Sequence, residues 1–177
     1  MRDTRGITLI ELVIAISILG LVMVSINQVL DLGLMNWGRE DVKSEAKQNI
    51  RIATERIKSE AVLAYELDPG SDGDTLILVY KPDTKITYNL GSTSSTSPEQ
   101  LTGYPLERRY NTGEKQVIAD YLDEMKFTYY ALGSNGLQPT SPANATYLEI
   151  YFSAVLPNGE IVENQTGVAL RGKFLPR

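Results

Sequence analysis

Residues 7 to 26 read I-T-L-I-E-L-V-I-A-I-S-I-L-G-L-V-M-V-S-I, an apolar run interrupted by one carboxylate, Glu11. A helix rises about 1.5 Å per residue, so the run is about 30 Å long, the thickness of a bilayer's hydrocarbon core. Length and composition predict a membrane-spanning helix, and the remaining chain must fold while tethered to it. The leader Met1-Arg2-Asp3-Thr4-Arg5-Gly6 carries two arginines, and the next basic residue is Arg39. This asymmetry predicts a single pass with the N-terminus in the cytoplasm and the C-terminal domain outside. A secretory signal peptide has a shorter apolar core closed by a small-x-small cleavage site on the far side. Here the small residue in a processing position is Gly6, on the cytoplasmic side.

The stretch Gly6-Ile7-Thr8-Leu9-Ile10-Glu11-Leu12 resembles the N-terminal signature of type IV prepilins and of the pseudopilins of type II secretion. The resemblance implies that a prepilin peptidase cuts between Gly6 and Ile7 and methylates the new amine of Ile7. It also implies that the uncleaved helix leaves the bacterial inner membrane to form the core of a filament outside the cytoplasm. The implied partners are the peptidase, other pilin or pseudopilin subunits, the inner-membrane assembly platform and lipid. Ile7 departs from the family, where phenylalanine is commoner at that position.

Glu11 is the residue that physics singles out within the run. A carboxylate held in a membrane-spanning helix costs on the order of 3 kcal/mol, so one that persists there needs a partner or a polar path. A freed amine on Ile7, one helical turn away, is such a partner. At about 4 Å and an effective dielectric of about 20 the two charges attract by roughly 4 kcal/mol, enough to offset the burial. Spacing leaves open whether the pair forms within a chain or between neighbours; the resemblance favours the neighbouring subunit, which gives Glu11 an assembly role. The bland alternative is a carboxylate that snorkels to the interface.

Composition narrows the chemistry further. The chain has neither cysteine nor histidine, which excludes disulfides, thiolate or histidine metal sites, and triads or acid–base steps built on imidazole. Its formal charge is −5, and −6 without residues 1 to 6, which offers no footprint for nucleic acid. Carboxylate pairs such as Asp120 with Asp123 or Glu124 occur in any acidic domain and fix no geometry. No enzyme activity, cofactor or metal is therefore expected. Asp68, Asp72 and Asp74 flank a turn without the spacing of an EF-hand and are expected to be solvated.

Beyond the apolar run, Gly33 and Gly38 cost about 1 kcal/mol each in helix propensity and predict a bend or local melting. From Arg39 to Leu67 the residues Val42, Ala46, Ile50, Ala53, Ile57, Ala61 and Ala64 recur at steps of four and three, one apolar face of a helix. Glu55, Arg56, Lys58 and Glu60 are expected on its solvent sides. Asp68-Pro69-Gly70 ends the helix. Strands are predicted at 75–80, 85–90, 105–110, 115–119, the second half of 121–132, 147–156 and 161–171, with turns at Pro82-Asp83 and Pro157-Asn158-Gly159-Glu160. In the strand 147–156, Leu148, Ile150, Phe152 and Ala154 share one face. The serine- and threonine-rich segment 91–103 and a second polar stretch up to Asn144 read as loops. Ten tyrosines spread over several strands suit half-buried sheet faces, more than a ligand site.

The expected fold is α+β: a long bent N-terminal helix packed on an antiparallel sheet, as in pilins. The expected parts are a leader (1–6), a membrane and filament-core helix (7–30), its amphipathic continuation (31–67) and a β-rich domain (68–177) packed on 39–67. The tract N-I-R-I-A-T-E-R-I-K-S-E-A at Asn49 to Ala61 and the late V-A-L-R also resemble J-type minor pseudopilins and W-type minor pilins, which implies a minor subunit placed at the filament tip. The alternatives are a major pilin, a competence or adhesion pilin whose exposed domain binds, and a plain single-pass anchored protein.

Overall fold

The computed structural model describes residues 8–81, 84–98, 100–134 and 136–170. Gly6 and Ile7, the turn at Pro82-Asp83, and Arg171 at the end of the predicted last strand lie outside the described residues. The chain divides into two compact units, residues 1–41 and 42–177, and one helix, α1 (Leu9–Leu63), contributes to both.

In the first unit, residues 9 to 31 form a helix long and apolar enough to cross a membrane, with mean hydropathy 2.7 and none of that stretch buried. The helical backbone shows no melting at Gly33 or Gly38. No atom lies within 4 Å of where a Cβ would sit on Gly33, so packing does not demand this glycine. Leucine, methionine, arginine and glutamate around the two glycines are strong helix formers that offset their cost.

In the second unit, the predicted apolar stripe is the core face of α1. Ala46, Ile50, Ala53, Ile57, Ala61 and Ala64 are buried, and Val42 packs against them. The helix ends at Leu63, earlier than the turn residues suggest. Glu66–Leu67 form a short strand, β1, opposite Val79 and Leu78, and the Tyr65 N–H donates to Val79 O at 2.8 Å. The Tyr65 N–H thus bonds a strand carbonyl where a continuing helix would have bonded it to a carbonyl one turn back.

The expected single sheet is two antiparallel sheets. The first joins β1, β2 (Thr75–Lys81), β3 (Thr84–Leu90), β5 (Thr102–Tyr110) and β4 (Ser95–Thr96) in that order, with β6 (Lys115–Leu122) also on β5. The second has the order β10-β9-β7-β8, from Ile161–Ala169, Tyr147–Val155, Glu124–Gly133 and Gly136–Pro139. The switch falls between β6 and β7, where Tyr121 has φ +60°. There the backbones of β5 and β6 touch: a Cβ on Gly103 would lie 2.3 Å from the Tyr121 carbonyl carbon. Only a residue without a side chain fits at that crossing.

Both sheets send one face into a common core with α1. Leu148, Ile150, Phe152 and Ala154 of β9 are fully buried, as their alternation predicts, and Leu76, Leu78, Tyr88 and Leu106 fill the other sheet's inner face. The β9–β10 hairpin closes as expected: Gly159 takes φ +82°, its N–H donates to Leu156 O, and the Leu156 N–H returns to Glu160 O, both at 2.8 Å.

Candidate functional site

The described chain starts where the predicted site lies. Thr8 precedes the first residue of α1, and its hydroxyl accepts a bond from the Glu11 N–H at 3.3 Å. In return, Glu11 Oε2 accepts from the Thr8 N–H and the Thr8 hydroxyl, both at 3.2 Å. This is a capping box: threonine before the helix and glutamate at its third position each satisfy a backbone donor that the helix cannot. The Leu12 N–H donates to Thr8 O at 3.2 Å and closes the first turn. Glu11 thereby has a local partner, sits where the helix dipole favours a negative charge, and keeps Oε1 outside the cap. The cleavage residues Gly6 and Ile7 lie immediately before the described residues.

Downstream, the surface of the helix is built for an apolar surrounding. Leu9, Leu21 and Val29 are 82%, 70% and 69% exposed. The two serines hide their hydroxyls: Ser17 donates to Val13 O at 2.8 Å and Ser25 to Leu21 O at 2.9 Å. Each polar group is thus satisfied within the helix, the condition a hydrocarbon solvent imposes.

Other polar groups singled out by the sequence are absorbed by the fold. Asp68 Oδ1 accepts from the Gly70 N–H and Asp72 Oδ1 from the N–H groups of Asp74 and Thr75, so two of the three aspartates shape their turns. The Lys85 ammonium beside Asp68, helped by the Gly70 N–H, holds its carboxyl below the usual range.

Glu60, expected among solvent-facing charges, lies instead at the helix–sheet seam. One carboxylate oxygen accepts from Tyr88 Oη at 2.7 Å, Arg108 Nε lies 3.1 and 3.2 Å from the two oxygens, and Arg56 reaches it at 2.7 Å. The Glu60 backbone carbonyl accepts from Tyr80 Oη at 2.8 Å. Burial, with the Glu60 carboxylate adding to it, pushes the Tyr80 hydroxyl up to about 12 and raises that of Tyr88 further. A carboxylate on an amphipathic helix looks like any surface charge, and its partners lie 28 and 48 residues away along the chain.

The tyrosines are more clustered than their spread in sequence suggests. Tyr130, Tyr147 and Tyr151 share the outer face of the second sheet. Tyr130 and Tyr147 meet edge-on at 6.3 Å, and the hydroxyls of Tyr130 and Tyr151 donate to Glu149 and Glu163 at 3.2 and 2.9 Å. Tyr147 lies over Gly167, where an added Cβ would sit 1.7 Å from its hydroxyl. An aromatic ring covering a strand glycine is a packing device of sheets.

Comparison with known proteins matches residues 1–27 to the prokaryotic N-terminal methylation motif. No curated protein and no solved structure matches this chain. The matched segment takes in the basic leader, Gly6, Ile7, the capping pair Thr8 and Glu11, and most of the apolar helix. Such a motif implies processing by prepilin peptidase, anchoring in a membrane and assembly with other pilins. In this N-terminal segment the chain is similar to the type IV prepilins and pseudopilins, whose methylation motif it carries.

Proposed function

We propose that the protein is a minor pilin or pseudopilin: a structural, non-catalytic subunit of a type IV pilus or of a type II secretion pseudopilus, placed at or near the filament tip. It enters the inner membrane through its apolar helix with the second unit outside the cytoplasm. Prepilin peptidase cuts between Gly6 and Ile7 and methylates Ile7. The assembly platform then draws the helix out of the lipid into a bundle of sister helices. Lipid is as apolar as leucine, so close packing and polar pairing carry that association, and hydrophobicity alone does not.

The observation that carries this reading is the methylation motif at residues 1–27, whose Glu11 keeps one oxygen outside its cap. That oxygen is available to a freed Ile7 amine of a neighbouring subunit. The minor-subunit assignment rests on the resemblance of the Asn49–Ala61 tract to J-type and W-type proteins.

Co-expression with prepilin peptidase followed by intact-mass measurement tests the processing step: the chain is expected to begin at Ile7 with one added methyl group. A chain still beginning at Met1 overturns the reading. Two substitutions separate the cap from assembly. Thr8→Ala removes the capping hydroxyl and keeps the carboxylate, at a cost of about 1 kcal/mol of local helix stability. Glu11→Ala removes the carboxylate and its two bonds to Thr8 but keeps the Thr8 hydroxyl on the N–H of residue 11. The expected result is that both variants are processed and stay in the membrane while only Glu11→Ala fails to enter filaments. Subunit counts in purified filaments test the minor role.

A further inference from the structure

The two sheets protect their edges unequally. β1 and β4 are two residues each, β8 is four residues and ends in Pro139, and β6 meets its neighbour with two register shifts. Short strands, prolines and bulges are the usual means by which proteins prevent strand-to-strand association. β10 has none of them. It is nine residues long, I-V-E-N-Q-T-G-V-A, without proline or lysine, and pairs with β9 in unbroken register along its whole length. It is the last strand of its sheet.

The pairing pattern identifies which backbone groups are open. Leu170 donates its N–H to Thr146 O, and Leu156 donates to Glu160 O. In an antiparallel ladder, residues that exchange bonds alternate with residues that do not. Val162, Asn164, Thr166 and Val168 therefore turn their N–H and C=O toward β9. Ile161, Glu163, Gln165, Gly167 and Ala169 turn theirs away, and no described residue meets them.

Beside this edge runs a groove of about 460 Å³ between α1 and β10. Lys47, Arg51, Thr54 and Lys58, at steps of four, three and four, line its helical wall, and Val162, Asn164 and Thr166 its sheet wall. Lys47, Arg51 and Lys58 form no ion pair among the described residues. Two carboxylates also border the groove, Glu55 on the helix and Glu163, the latter engaged by the Tyr151 hydroxyl on the opposite face of the sheet. Thr54 is buried, and its hydroxyl has no partner. Four helical residues advance about 6 Å, close to the two-residue repeat of a strand, about 6.8 Å. Cations at Lys47 and Arg51 are thus spaced to meet successive same-side residues of a strand laid along β10.

We propose that β10 accepts an added strand. An extended, carboxylate-bearing segment of a partner protein pairs with the outward N–H and C=O groups of Glu163, Gln165 and Gly167, and its acidic side chains on the helix side lie over Lys47, Arg51 and Lys58. Backbone pairing supplies the affinity in such recognition, and the alternating side chains select the partner. The inference rests on the second unit alone and holds whichever filament the chain joins.

Amide hydrogen exchange on the full chain in detergent micelles tests it, with a nine-residue peptide of alternating valine and glutamate as probe and a valine–lysine peptide as control. In the free chain the amides of Glu163, Gln165 and Gly167 are expected to exchange fast and those of Asn164, Thr166 and Val168 slowly. Equal protection of both sets means that the edge is already covered and overturns the proposal. Adding the valine–glutamate peptide is expected to slow the first set, and the lysine peptide to leave it unchanged. Gln165→Pro removes an outward N–H and no ladder bond, so it is expected to abolish binding with the protection of Thr166 and Val168 retained. Arg51→Glu, far from the ladder, is expected to weaken binding about tenfold through charge repulsion. Failure of the glutamate peptide to slow the outward amides, or binding undiminished by both variants, overturns it as well.

Discussion

Arg108 approaches Glu60 from β5 with 12% of its side chain exposed, so removing the carboxylate would leave a guanidinium buried without its counter-charge. Truncating one partner of a buried pair typically costs about 3–5 kcal/mol, much of it from the stranded charge. Arg56, with 47% of its side chain exposed, can return to water and adds little. Glu60→Ala is therefore expected to lower the urea midpoint of the full chain in detergent strongly, and Glu60→Gln, which keeps the packing and an acceptor for Tyr88, less so; equal loss in the two variants would place the whole cost in the lost charge. Buried tyrosines set a response to alkali, two of them on Glu60 and the third, Tyr129, on the Asp72 carbonyl. Tyr80, Tyr88 and Tyr129 are raised above the ordinary tyrosine value of 10.0, burial being the largest cause in each. For an acid raised in the folded state, the stabilisation is complete below the unfolded value and disappears as pH climbs through the folded one. An absorbance titration of phenolate is thus expected to show these three ionising above pH 10, together with loss of the fold.

At the scale of elements, legibility followed burial. The α1 stripe from Ala46 to Ala64 and the alternation of Leu148, Ile150, Phe152 and Ala154 were readable because each has one face in the core and one outside, and burial imposes the period of the element on the sequence. β4 and β8 are exposed at every described position, so no alternation marks them, and they fall inside stretches that read as loops. Glu66 and Leu67 were read as helix because their strand pairing with Val79 and Leu78 is a contact across the chain. The division into two sheets was illegible for the same reason: the left-handed Tyr121 and the close approach at Gly103 are tertiary facts with no local signature. At the N-terminus, Gly6, Ile7 and Glu11 stand out by a short motif, and the Thr8–Glu11 cap is legible too, as a threonine three residues before a glutamate. The open edge of β10 is invisible in sequence, since the nine residues look like any interior strand.

At the scale of the molecule, the two units differ in what they bury. The first exposes its apolar helix along residues 9 to 31, whereas the second encloses a core drawn from α1 and both sheets. A chain shortened to begin at Val42 keeps all the buried apolar residues from Ala46 to Leu170. It is expected to stay in the aqueous phase of a detergent partition and to unfold in one cooperative step, while the full chain enters the detergent phase. Persistent aggregation of the shortened chain would show that the second unit needs the first.

The order of the strands along the chain has a temporal meaning. Residues 66 to 122 supply every strand of one sheet and residues 124 to 169 every strand of the other. A polypeptide delivered N-terminus first therefore presents the helical stripe, then the whole of one partner surface, before any strand of the second has been released. The first layer can settle on its helix while its successor is still being threaded, and no early strand waits, unpaired and prone to aggregate, for a mate encoded near the C-terminus.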